Sequence, residues 1–123
     1  MELLISEEYM QLNRKLSPQE KRLLEVLIKK ASIILPEDWQ NKIIVRSMND
    51  DGMGSLILFP DGIISDHRLF GVQVSECSFI DEDGVHVIAS LNLDSNGDLF
   101  ELDIWKTDYS SLINIPDKFD ESD

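Results

Sequence analysis

The residues best suited to chemistry in this chain are two histidines and one cysteine, His67, His86 and Cys77. Nucleophilic catalysis requires an activated serine or cysteine beside a general base. Cys77 lies in the middle of a predicted strand, which favours a buried thiol over a nucleophile. His67 follows Asp66, and His86 alternates with two valines. An acid–base or ligand site built from Asp66, His67 and His86 is therefore one hypothesis for this chain.

Metal and phosphate sites find little support in the sequence. No cluster of histidines and cysteines has the spacing of a structural zinc site. Gly52 and Gly54 lie beside two aspartates, which is the wrong charge for a loop that binds phosphate. Asn92–Gly97 resembles the beginning of an EF-hand loop, but strands are predicted on both sides and the twelfth position is Asp103, where glutamate is usual. We therefore expect neither a metal nor a cofactor.

Charge is the strongest signal in the composition. Of 123 residues, 24 are acidic and 11 are basic, which gives a formal net charge of −13. Residues 1–46 hold eight bases against seven acids, and residues 47–123 hold the remaining three bases against 17 acids. A surface this acidic repels nucleic acids and lipid headgroups and attracts basic proteins. We expect a basic protein as the partner, with no direct binding to nucleic acid, membranes or a small molecule. Alternatively, the acidic surface serves only to keep the protein soluble.

The cysteine count and the first residues indicate a compartment. A single cysteine excludes an internal disulfide framework and fits a reducing environment. The first ten residues lack the basic region of a signal peptide. No apolar run approaches the roughly 20 residues that a membrane-spanning helix needs. These features predict a cytoplasmic protein.

The clearest helix signal begins at Ser17. This residue is a suitable N-cap, Pro18 fits the first helical position, and Glu20 completes a capping box. Apolar residues then recur at a spacing of 3.6, at Leu23, Leu24, Leu27, Ile28 and Ala31. We predict a helix over residues 17–31. The preceding residues 1–14 are expected to be weakly structured, with a short helix at most.

The segment 85–106 is predicted to be a β-hairpin around Asn96-Gly97. These two residues favour a type I′ turn, in which both have positive φ. That turn sets Leu93 opposite Phe100 and continues the same register along both strands. One face of the hairpin then holds His86, Ile88, Ser90, Asn92, Glu101, Asp103 and Trp105. A slip by one residue would bury Glu101 and Asp103, so the register is well specified.

Three earlier strands complete the predicted sheet. They cover residues 42–48, 54–59 and 68–80, and a change of parity in the third suggests a β-bulge near Ser75-Glu76. Short turns between strands predict a five-stranded antiparallel meander with the helix packed on it. The fold class is therefore α+β, in one domain over residues 1–123, with a frayed acidic tail at 117–123.

The predicted outer face of the hairpin could bind a partner. Trp105 and Ile88 ringed by carboxylates are typical of a hot spot for a basic protein. Alternatively, the N-terminal segment or Leu112–Pro116 covers these two side chains. Further carboxylates lie in acidic turns. The candidate contacts are Asp50, Asp51, Asp81, Glu82, Asp83, Glu101, Asp103 and Trp105.

Several short motifs carry a family resemblance. They are Arg14-Lys15-Leu16 to Leu23-Leu24, Met53-Gly54-Ser55-Leu56, Phe70-Gly71, and Glu101-Leu102-Asp103-Ile104-Trp105-Lys106 through Pro116. Over roughly residues 14–116 the chain resembles an uncharacterised family of small acidic bacterial proteins. Such proteins are similar to immunity proteins of polymorphic-toxin and contact-dependent growth inhibition systems.

The resemblance implies an inhibitor and not an enzyme. It implies a cytoplasmic protein that binds the basic C-terminal domain of a bacterial toxin, often a nuclease, and it carries over no catalytic residue. Two alternatives remain open. One is an acidic adaptor or subunit for another basic protein, and the other is a small ligand-binding domain or enzyme that uses Asp66, His67 and His86.

Overall fold

A computed structural model describes residues 13–119 of the chain. The described residues form β1 (Asn13–Arg14), α1 (Pro18–Lys30), α2 (Trp39–Lys42), β2 (Ile44–Ser47), β3 (Leu56–Phe59), β4 (Phe70–Ile80), β5 (His86–Asp94) and β6 (Leu99–Lys106). The short helix predicted within residues 1–14 and the frayed tail predicted at 117–123 lie mostly outside the described residues. Residues 13 and 14 form a strand, Asp117 pairs with Arg22, and the Phe119 ring packs edge-on against Phe79.

Helix α1 begins as the sequence predicts. The Ser17 hydroxyl accepts a hydrogen bond from the Glu20 N–H at 3.2 Å, and the Glu20 carboxylate accepts one from the Ser17 N–H at 2.8 Å. This reciprocal pair is the predicted capping box. Its apolar stripe is buried against the sheet at Leu23, Leu24, Leu27 and Ile28. The helix prediction is confirmed, with Ala31 as its C-cap.

The α+β class is confirmed, but the predicted meander is wrong. The sheet has six antiparallel strands in the order β1-β2-β3-β6-β5-β4, and α1 follows the first of them. Strand β4 does not pair with β3, because the connection 60–69 carries the chain to the opposite edge of the sheet. Strands β4 to β6 return as hairpins until β6 lies beside β3, which is a Greek-key arrangement.

One side chain, Arg68, holds the end of this long connection in place. Its two terminal nitrogens donate to the backbone carbonyls of Leu58 and Leu99, and its Nε donates to Asp94 Oδ2 at 2.9 Å. The guanidinium also lies 4.8 Å from the centre of the Phe100 ring. Arg68 therefore joins the end of β3 to the end of β5 and the beginning of β6.

The predicted register of the hairpin is confirmed from Val87 opposite Lys106 to Asn92 opposite Glu101. The predicted pair of Leu93 with Phe100 is wrong, because Leu93 pairs with Leu99. An irregularity at this point leaves Phe100 unpaired and restores the predicted register in the rest of the ladder. The side chains of β5 up to Asn92, and those of β6 from Glu101 onward, therefore lie on the predicted faces of the sheet.

The turn itself is not type I′. Of Asn96 and Gly97, only Gly97 has positive φ, at +88°. The Asp94 N–H donates to the Asp98 carbonyl at 2.8 Å, which closes a loop of three residues. The Asp94 carboxylate accepts hydrogen bonds from the N–H groups of Asn96 and Asp98 at 2.9 and 3.0 Å. These bonds stabilise the longer turn.

The core lies between α1 and one face of the sheet. It contains buried side chains from every strand from β2 to β6 and from the segment after β6: Val45, Leu56, Leu58, Cys77, Phe79, Val87, Ala89, Leu91, Leu99, Leu102, Ile104 and Ile115. The Ser75 hydroxyl donates to the Leu27 carbonyl at 2.7 Å, which ties β4 to the helix. The other face of the sheet, here called the open face, carries no helix of the described residues.

Strand β4 is irregular at two points, next to Gly71 and next to Val74. The predicted bulge near Ser75-Glu76 is therefore displaced by one residue. A Cβ atom at Gly71 would lie 2.3 Å from the Asp94 carbonyl oxygen. That contact is with backbone, so β4 and β5 would have to separate to admit it.

We expect Gly71→Ala to destabilise the protein by about 2 kcal/mol, because overpacked sites typically lose 1–3 kcal/mol. Chemical denaturation followed by circular dichroism measures this loss. Ser78→Ala, at an exposed position of the same strand, is the matched control and should change the free energy of unfolding little. Equal stability of the two variants would contradict the close approach of β4 to β5 at Gly71.

Candidate functional site

Three acidic loops meet at one end of the sheet. They are the β2–β3 loop (48–55), the β4–β5 turn (81–85) and the segment after β6 (107–114). The antiparallel order of the strands places all three at the same end. We call this region the acidic end, because its loops carry Asp50, Asp51, Asp81, Glu82, Asp83 and Asp108.

Hydrogen bonds join these loops to one another. The Leu112 N–H donates to the Gly52 carbonyl at 3.0 Å, and the Ser111 hydroxyl donates to the Asp51 carbonyl at 2.9 Å. The Ser55 hydroxyl lies 3.3 Å from Asp103 Oδ1, which connects the acidic end to strand β6. The carboxylates of the acidic end therefore sit on a connected surface and not on independent loops.

The acidic end is built around a buried lysine that sequence reasoning missed. Lys106 is 0% exposed. Its Nζ lies 2.8 Å from Asp81 Oδ2 and 2.7 Å from Asp83 Oδ2, and it donates to the Ser111 carbonyl at 3.1 Å. Burial lowers the pKa of Lys106, but the two carboxylates raise it above its ordinary value. The ammonium group is therefore charged and links the β4–β5 turn to the segment after β6.

Asp81 is the most heavily bonded carboxylate of the acidic end and is only 3% exposed. Besides Lys106, it accepts hydrogen bonds from the N–H groups of Ile113 at 2.8 Å, Asn114 at 3.1 Å and Glu82 at 2.8 Å. Burial alone raises its pKa, but these bonds lower it to about 2. Asp81 was predicted as a contact, and its side chain is 0% exposed because both carboxylate oxygens face donors inside the fold.

Asp50 also serves the fold. Its carboxylate accepts hydrogen bonds from the Met53 N–H at 3.1 Å and the Ser55 N–H at 3.0 Å, so it shapes its own loop. Glu101 is half-buried, 3.4 Å from the side-chain nitrogen of Asn92. The exposed members of the candidate set are Asp51, Glu82, Asp83, Asp103 and Trp105.

The open face carries the predicted aromatic anchor. Ile88 lies opposite Trp105, and Ser90 lies opposite Asp103, as the hairpin register requires. Trp105 is 42% exposed. The segment Leu112–Pro116 does not cover it, because Leu112 and Ile115 pack against the core on the other side of the sheet. The alternative in which the N-terminal segment covers Trp105 involves residues 1–12, which lie outside the described range.

Two of the three bases in the acidic half lie inside the fold. Residues 47–119 contain three Lys and Arg residues, of which Lys106 and Arg68 are held in ion pairs within the fold. The Arg68 side chain is 12% exposed, and its partner Asp94 is 3% exposed. Lys118 is exposed. Two of the three positive charges in residues 47–119 are therefore paired inside the fold and do not neutralise the carboxylates exposed at the surface.

The residues of the enzyme hypothesis do not converge. Asp66 Oδ1 lies 3.5 Å from an Arg46 nitrogen, and both His67 and His86 are exposed. His86 begins β5, whereas His67 precedes β4, whose first residue pairs with the last residue of β5. The two histidines are therefore separated by about 25 Å of strand. Cys77 is buried, and burial raises the pKa of its thiol.

Within residues 13–119, neither a metal site nor a groove is a stronger candidate for the functional site than the acidic end. No group of three or more His, Cys, Asp and Glu side chains in that range is placed to hold a metal ion. A groove of about 430 Å³ at the opposite end of the sheet is lined by Trp39, Ile63 and Arg68, among others. The Arg68 donors facing it are already bonded to Leu58, Leu99 and Asp94.

The fold and the site define an α+β protein with a Greek-key sheet and an acidic surface that carries an exposed tryptophan. The chain belongs to the family described as Domain of unknown function (DUF6984), whose model matches residues 13–116. No curated protein and no solved structure matches the chain. Within the described residues, no helix combines the length and the apolar character needed to cross a membrane.

Proposed function

We propose that this chain is a non-enzymatic immunity protein that binds and neutralises the basic C-terminal domain of a bacterial toxin. The toxin is a nuclease delivered by a contact-dependent growth inhibition system, and the inhibitor acts in the cytoplasm. A single observation carries the proposal: three acidic loops are joined at one end of the sheet, beside an exposed tryptophan. Carboxylates there would occupy the cationic surface that a nuclease uses to bind phosphate.

The distribution of charge supports a basic protein as the partner. Residues 47–123 hold 17 acids and three bases, and two of those bases are consumed by ion pairs inside the fold. A field of one sign accelerates the encounter with a partner of the opposite sign and makes the rate depend on salt. Nucleic acid and anionic membranes would be repelled by the same field.

The contact set is smaller than the sequence suggested. Asp81 and Asp50 maintain the loops, so the proposed contacts are Asp51, Glu82, Asp83, Asp103 and Trp105, with Glu101 at the rim. An exposed aromatic side chain surrounded by carboxylates combines an apolar anchor with charges that orient the partner.

The decisive experiment is a rescue test in bacteria. The C-terminal region of any large secreted protein encoded just upstream is expressed with and without this chain, and growth is scored. Protection together with co-purification supports the proposal. Co-purification of a basic protein without protection from the toxin would favour an adaptor, and an absence of both would leave the immunity function without support.

A further inference from the structure

Two aromatic side chains stand exposed where the open face meets the acidic end. Trp105 lies near the end of β6, and Tyr109 lies in the segment that follows and is 70% exposed. Their ring centroids are 6.1 Å apart, with a tilt of 55° between the planes. The pair forms a small aromatic surface that the described residues leave open to solvent.

The backbone of Tyr109 is unusual for an exposed tyrosine. Its φ is +65°, in the left-handed region, and its N–H donates to the Lys106 carbonyl at 2.8 Å to close a turn. Glycine or asparagine is the ordinary residue at such a position, because a bulky side chain is disfavoured there. The fold alone gives no reason for a tyrosine, so the ring points to a role outside folding.

A carboxylate lies on the same face as this aromatic pair. Asp103 precedes Trp105 by two residues on β6, about 7 Å along the strand. One of its oxygens is 3.3 Å from the Ser55 hydroxyl, and the other has no hydrogen bond from residues 13–119. Aromatic faces attract cations, and a planar guanidinium both stacks on a ring and pairs with a carboxylate through two N–H groups.

We propose that Trp105, Tyr109 and Asp103 form the docking site for an arginine side chain of the protein partner. This inference rests on the proposed function, because it requires a basic partner at the same surface, and it specifies the chemistry of the central contact. A guanidinium is preferred over an ammonium group because it is planar, more weakly hydrated and able to stack. Tyr109 is the residue that this proposal adds to the site.

The first test compares hexa-arginine and hexa-lysine peptides as probes at low salt. The chain has two tryptophans, Trp39 and Trp105, so two-dimensional NMR resolves one indole N–H signal for each. Hexa-arginine should shift the Trp105 signal and leave the Trp39 signal in place. Its affinity should exceed that of hexa-lysine by about threefold, because a guanidinium stacks on the ring and pairs with Asp103 through two N–H groups, whereas an ammonium group does not.

The second test uses a pair of variants that separates binding from folding. Tyr109→Gly removes the ring and relieves the left-handed backbone, so its Tm should be equal to or higher than that of the wild type. It should nevertheless bind hexa-arginine about threefold more weakly. Tyr109→Phe keeps the ring and should bind as the wild type does.

Equal binding of hexa-arginine by the Gly and Phe variants would overturn the docking site, and so would equal affinities for the two peptides. Either result would leave the proposed function intact as long as binding to the acidic surface is weakened by salt. If neither peptide binds at low salt, both the docking site and the proposed acidic interface fail.

Discussion

Replacement of Asp81 by asparagine should lower the Tm by about 10 °C, the largest stability effect expected from a single carboxylate in this protein. The substitution removes a buried negative charge that faces Lys106 at 2.8 Å. Lys106 is fully buried, and among residues 13–119 it would retain Asp83, whose side chain is 36% exposed, as its one counter-ion. Differential scanning calorimetry measures the shift.

Asp108→Asn is the matched control for this prediction. Asp108 is exposed in the neighbouring segment, and its carboxylate accepts hydrogen bonds from the N–H and the hydroxyl of Ser110. Its loss should change the Tm by less than about 3 °C, as is usual for surface substitutions. A similar Tm for the two variants would show that the buried pair of Lys106 and Asp81 does not hold the acidic end together.

The same carboxylate predicts a dependence of stability on pH. The pKa of Asp81 is about 2 in the folded protein, below its ordinary value of 3.8. Its contribution is therefore fully present above about pH 4 and is lost as the pH falls toward 2, because protonation then favours the unfolded chain. Urea unfolding between pH 2 and 6 should show a steeper acid loss for the wild type than for Asp81→Asn. Parallel profiles would contradict the lowered pKa.

Reversal of two exposed charges, Glu82→Lys with Asp103→Lys, should weaken binding to the toxin domain by about 100-fold at low salt. Both side chains are exposed, and neither carboxylate holds a loop in the way that Asp81 does. The Tm should therefore change by only a few degrees. Surface plasmon resonance would place most of the loss in the association rate, since rim charges act mainly on the encounter.

The matched control reverses the same number of charges at the other end of the sheet. Glu37→Lys with Asp98→Lys changes two exposed acids near the groove that contains Arg68, so it reduces the net charge equally. It should weaken binding far less. Equal losses in the two double variants would mean that net charge alone, and not the acidic end, determines affinity.

Local signals in the sequence were sufficient to predict α1 and the hairpin of β5 and β6. The capping residues of α1 and its apolar spacing act within a few turns of chain, so Ser17 and Glu20 could be assigned from type and position. The register of β5 and β6 was predicted from the position of the Asn96-Gly97 turn together with the alternation of apolar and polar residues. It survived an incorrect turn type, because the unpaired Phe100 compensates for the longer loop closed by Asp94.

The order of the strands depends on contacts between residues far apart in the chain. Arg68 joins the carbonyls of Leu58 and Leu99, and neither partner carries a local signal of that role. The missing information is therefore tertiary. A short, turn-rich connection favours pairing of successive strands, and residues 60–69 are the exception in this sheet.

The sequence indicated which residues belong to the candidate site, but it indicated only in part which of their side chains are exposed. The alternating pattern placed Asp103 and Trp105 on one face, and the structure exposes both. The acidic turns were recognised, but sequence reasoning did not distinguish Asp81, which binds Lys106, from Glu82, which is exposed. The signal that was overlooked is a lysine, Lys106, at a core-facing position at the end of an alternating strand, where a buried side chain of this type needs a carboxylate partner.

The most direct test is the dissociation constant of this chain with the toxin domain that the rescue test identifies, measured by calorimetry over a range of salt. If carboxylates of the acidic end bind a cationic surface, affinity should fall at least tenfold between about 50 mM and 500 mM salt, because exposed charges are screened. An affinity that stays constant over that range would contradict an interface held by charge.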